Sequence, residues 1–67
     1  MDTESTKRRA IAQWVGLKVT EKTSSNPQER TNARRVAYVI AAKHNLDTDA
    51  LEPQVAAEID QMEEDQR

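Results

Sequence analysis

The stretch from Asn26 to Leu46, N-P-Q-E-R-T-N-A-R-R-V-A-Y-V-I-A-A-K-H-N-L, constrains the fold of this 67-residue chain more than any other. Its start is encoded in side chains. Asn26 suits a helix N-cap, Pro27 suits the first helical position, and Glu29 stands where a capping box needs an acid. Its stop is encoded as well. Lys43 and His44 favour the negative end of the helix dipole. Asn45 is the non-glycine residue best suited to a left-handed cap, and Leu46 is placed to fold back on the last turn. Between the caps, Ala33, Val36, Ala37, Ile40 and Ala41 recur at helical spacing and form one apolar face. These signals predict a helix over 27–44.

Upstream, Ile11, Trp14, Val15 and Val19 also fall on one helical face. Val15, Leu17 and Val19 alternate at the strand period too, but a single short strand has no partner in this chain and is not stable alone. A helix over about 7–18 is the better reading. Gly16 costs such a helix about 1 kcal/mol relative to alanine, unless it marks a close approach of two helices or an early end. The polar run Thr20 to Ser25 is then a connector long enough to reverse the chain into an antiparallel pair.

Downstream, Asp49 and Glu52 have capping-box spacing. Pro53 is tolerated only in a first turn, so a third helix starts between Asp47 and Pro53 and covers about 50–63. Leu51, Val55, Ile59 and Met62 make a narrow apolar seam flanked by acids. The expected fold is all-α: a small three-helix domain built on an antiparallel helical hairpin, with an acidic C-terminal helix. Residues 1–67 form one domain, with 1–6 and 64–67 expected to fray.

Charge is divided along the chain. Residues 1–46 carry nine Lys or Arg against four acids, a balance of +5, and residues 47–67 carry eight acids against one Arg, a balance of −7. The simplest consequence is that the acidic helix lies on the basic hairpin. Self-pairing through the acidic seam would set like charges together. Any homodimer is therefore expected to use another face, around Trp14, Tyr38 and Val39.

The sequence from Ile11 to Leu46 resembles a short helical domain of unknown function that recurs in bacterial and bacteriophage proteins. Its pattern is I-x-x-L-L-x-L, then N-P-x-E, then A-x-x-x-A-x-x-L-x-x-K-H-x-L. Ile11, Trp14, Val15 and Leu17 match in the first helix. Asn26, Pro27, Glu29, Ala33, Ala37, Ile40, Lys43, His44, Asn45 and Leu46 match in the second. Trp14 stands where the family usually has leucine, and Arg30 where alanine is common. The resemblance implies a helical hairpin and a phage or mobile-element origin, and no activity.

Nothing in the residues argues for an enzyme or a cofactor. There is no cysteine and one glycine, so neither a thiol nucleophile nor a phosphate-cradling loop is available. His44, Asp47 and Asp49 form H-x-x-D-x-D, which matches no metal-binding signature. No apolar run approaches the roughly 20 residues of a membrane span, and M-D-T-E-S-T-K-R-R lacks the apolar stretch of a secretory signal. A soluble, cytoplasmic interaction module is expected, either a homodimer or a small phage-type regulator or inhibitor that docks on a host protein. Trp14, Tyr38 and Val39 are its candidate interface. The alternative is a nucleic-acid binder that uses a basic face made of Arg8, Arg9, Arg30, Arg34, Arg35 and Lys43.

Overall fold

The computed structural model describes residues 3–65 and is all-α: α1 (Thr3–Thr23), α2 (Pro27–His44) and α3 (Thr48–Asp65). No strand occurs among the described residues. The hairpin of α1 and α2 is as expected. Helix α1 is the shared platform, because both α2 and α3 pack on it while α2 and α3 have little direct contact.

Helix α2 has the bounds that its caps dictate. The Asn26 side chain accepts hydrogen bonds from the backbone N–H of Gln28 at 3.0 Å and of Glu29 at 3.4 Å. Asn45 adopts the left-handed conformation with φ 52°, and Ala41 O accepts from both Asn45 N and Leu46 N. One detail differs from expectation. Glu29 does not close a capping box: the Asn26 N–H donates instead to Ser24 Oγ at 3.1 Å.

Helix α1 is longer than the expected 7–18. It passes through Gly16 and ends at Thr23, leaving a three-residue connector, Ser24 to Asn26. The polar segment stays helical because its threonines bond back to the preceding turn. Thr20 Oγ1 donates to Gly16 O at 3.1 Å and Thr23 Oγ1 to Val19 O at 2.7 Å. Gly16 marks neither a close approach nor an end, since a Cβ built on it meets nothing within 4 Å. Of the segments expected to fray, residues 3–6 and 64–65 are helical, and residues 1–2 and 66–67 lie outside the described residues.

Helix α3 also starts earlier than expected, and Asp47 rather than Asp49 caps it. The Asp47 carboxylate accepts from Ala50 N at 3.3 Å, and its carbonyl accepts from Leu51 N at 3.2 Å. Pro53 therefore sits in the second turn, not the first, where its missing N–H leaves the Asp49 carbonyl without a helical donor.

The core is one cluster of Trp14, Val15, Ala37, Leu51 and Val55, with Ile11, Leu17, Val19, Ile40, Ala41, Leu46 and Ile59 packed around it. Helix α3 thus docks within the chain through Leu51, Val55 and Ile59 of its seam. Its far end does not follow: Met62 is 40% exposed, as is Val36 on the expected apolar face of α2. The molecule is open for its size. Its radius of gyration is 12.6 Å and its accessible surface 5434 Å². A compact monomer of this length would have about 10.9 Å and about 4,300 Å².

Candidate interaction cleft

Because α2 and α3 diverge above α1, a cleft of about 500 Å³ opens between them, with a chiefly apolar lining. Trp14 forms its floor. Thr31, Arg34, Arg35, Ala37, Tyr38, Val39 and Ala41 contribute from α2, Thr48 and Glu52 from α3, and Lys18 from α1. The α2 side of this cleft is a helical stripe, since Thr31, Arg34, Tyr38 and Ala41 are spaced three or four residues apart.

The three candidate interface residues divide. Trp14 is a core residue, 3% exposed, so it supports the site from below and does not project from it. Its size and central place on α1 let one ring touch the packing of all three helices. Tyr38 and Val39 project into solvent, 77% and 56% exposed.

The charges around the cleft are partly spoken for. Lys18 Nζ lies 5.9 Å from the Trp14 ring centroid and 2.8 Å from Glu21 Oε2. The latter is a close charge contact without hydrogen-bond alignment, as Glu21 Oε2 has no hydrogen-bond partner. Lys22 Nζ pairs with Glu52 at 3.4 Å and ties the end of α1 to α3. Arg30 Nε donates to Glu21 O at 2.9 Å, which clasps α2 to the last turns of α1. Among the described residues, Arg34 and Arg35 have neither an ion-pair nor a hydrogen-bond partner.

The six basic residues named for nucleic acid are all exposed, but they do not share one face. Arg34 and Arg35 border the cleft, while Arg8 lies in a separate groove beside Ala12, Gln54 and Glu58. Lys43 lies about half a turn around α2 from Arg34, one turn beyond Val39, and does not line the cleft. Arg9 projects from α1 without contributing to either groove. Lys18, Thr31, Thr48 and Glu52 were not marked by the sequence as site residues. The Thr31–Tyr38 spacing was legible on α2, but the approach of Thr48 and Glu52 depends on how α3 docks.

Among the described residues, no group of three His, Cys, Asp or Glu side chains is placed to hold a metal ion. No described helix is long and apolar enough to cross a membrane. No family model matches the chain, and no curated protein or solved structure matches it at a significant level.

Proposed function

We propose that this chain is a small non-enzymatic interaction module that docks on a host protein through the outer face of α2. The observation that carries this reading is the pairing of exposed Tyr38 and Val39 with the apolar cleft over Trp14. Tyrosine beside an apolar recess is a common interface anchor, because one end of its ring is apolar and the other hydrogen-bonds. The resemblance of Ile11 to Leu46 to a helical domain of bacterial and bacteriophage proteins supports a phage or mobile-element origin, and the docking role is that of a small regulator or inhibitor acting in the cytoplasm. A photo-crosslinking amino acid at position 38 tests it in bacterial lysate. The expected result is a discrete adduct, suppressed by excess unlabelled protein and absent when the probe sits at exposed position 57 on α3. Equal labelling from both positions, or none from either, would remove the proposal.

That Arg34 and Arg35 have no partner among the described residues favours a second reading, nucleic-acid binding by plain charge. Affinity for duplex DNA should then fall steeply with salt, and Arg34→Ala should weaken it without regard to sequence. Absence of a mobility shift at low salt and micromolar protein would exclude it.

A further inference from the structure

The cleft over Trp14 has a lining and a rim of different chemistry. Its lining is chiefly apolar: Tyr38, Val39 and Ala41 offer accessible surface above Trp14 and Ala37, which are 3% and 1% exposed. Of its rim charges, Lys18 is held by Glu21 and Glu52 by Lys22, so those four largely cancel. Arg34 and Arg35 remain without partners among the described residues. A planar guanidinium in that state is suited to a carboxylate, which it takes in a two-pronged hydrogen-bonded pair.

We infer that this cleft receives an acidic amphipathic helix of the partner protein, with an apolar side chain seated over Trp14 and flanking carboxylates on Arg34 and Arg35. The inference rests on the reading of α2 as the docking face and adds the chemistry of what docks. A helix fits better than an extended peptide. The cleft is a trough between two helices, and the described residues offer no strand edge for backbone pairing. A protein fits better than a nucleic acid. The apolar recess suits a seated side chain, whereas it gives a phosphate chain nothing to bond.

The chain reports its own occupancy, because Trp14 is its only tryptophan and forms the cleft floor. The probe is a synthetic helical peptide of leucine, alanine and glutamate, with leucines spaced three and four apart. Two controls replace its glutamates by lysine or its leucines by serine. The full-length protein should give a saturable shift in Trp14 emission with the first peptide and roughly tenfold weaker binding to each control. The double variant Arg34→Glu, Arg35→Glu alters two exposed side chains with no described partner, so its helicity should be unchanged. It should prefer the lysine peptide to the glutamate peptide by a similar factor.

No emission shift with the glutamate peptide overturns the inference, as does a shift that the charge reversal leaves unchanged. Displacement of that peptide by a duplex oligonucleotide overturns it in favour of nucleic acid. An emission change on concentrating the protein alone, with a doubled mass by light scattering, assigns the cleft to a second copy and also overturns it. If position 38 still yields its specific adduct when the peptide fails, the docking face stands and only the chemistry of the occupant falls. If both fail, both readings go.

Discussion

Helices α2 and α3 have the same length, 18 residues, and both pack on α1, yet they are held in opposite ways. Helix α2 buries Ala33 and Ala37, small residues that let its backbone approach α1. Both its ends are closed by asparagine caps, and basic residues occupy its last turn. Helix α3 buries Leu51 and Val55, and its only described cap is Asp47. Pro53 removes one backbone hydrogen bond from its second turn, and its last turn has no base to offset the helix dipole. Much of what makes α2 a helix is local, whereas α3 is a helix largely because Leu51 and Val55 have a core to enter.

The sharpest way to break this contrast is to end the chain at Leu46. The hairpin would then lose Leu51 and Val55 from over Trp14 and Val15. Each burial contributes about 1.5–3 kcal/mol, so the loss is roughly 3–6 kcal/mol. That is comparable to the whole stability of a small domain. Circular dichroism should show residual helix without a cooperative melt. A hairpin that melts as the full chain does would show that α3 is not part of the core. A smaller effect tests the other contact. Ala37 is fully packed, so Ala37→Leu should force α2 off α1 at about 1–3 kcal/mol. Urea denaturation would measure it, and an unchanged midpoint would mean that α2 has room to spare.

The same contrast explains what could be foreseen from sequence. The bounds of α2 were legible because Asn26, Pro27 and Asn45 each fix one local geometry. The extent of α1 was not. The turn from Thr20 to Thr23 has no apolar periodicity, and its support includes Arg30 reaching Glu21 O from the next helix. The start of α3 was misplaced because Asp47 and Asp49 both have cap chemistry, and only the chain path from Leu46 selects Asp47. The cleft was half legible. Tyr38 and Val39 are surplus to the apolar face of α2, but that Trp14 lies beneath the opening depends on the divergence of α2 and α3.

A finer test concerns the caps alone. Asn26→Ala removes the acceptor for Gln28 N and Glu29 N, worth about 1 kcal/mol. In a chain of this size the melting temperature should fall by about 4–8 °C. Asp47→Ala should cost no more, because its Ala50 bond is a single long one at 3.3 Å. A larger loss at Asp47 than at Asn26, in paired thermal melts, would reverse the assignment of local stability to α2.

The smallest expected effect is a gain, and it falls on the platform that both helices share. Gly16 lies inside the 21-residue α1 with ordinary helical geometry, since no glycine has positive φ among the described residues. A Cβ there meets open space, so Gly16→Ala introduces no clash. Alanine removes a helix-propensity cost of about 0.8–1.0 kcal/mol, chiefly by restricting the unfolded chain. The Thr20 bond to Gly16 O uses the backbone and survives the change. The full chain should therefore melt a few degrees higher, by the same scale of about 4–8 °C per kcal/mol. Because the effect is local to α1, it should add to that of Asn26→Ala without coupling. A lower melting temperature in Gly16→Ala would mean that another surface packs on this face of α1 in solution. A gain that vanishes in the Asn26→Ala background would mean that α1 and the α2 cap do not stabilise the chain independently.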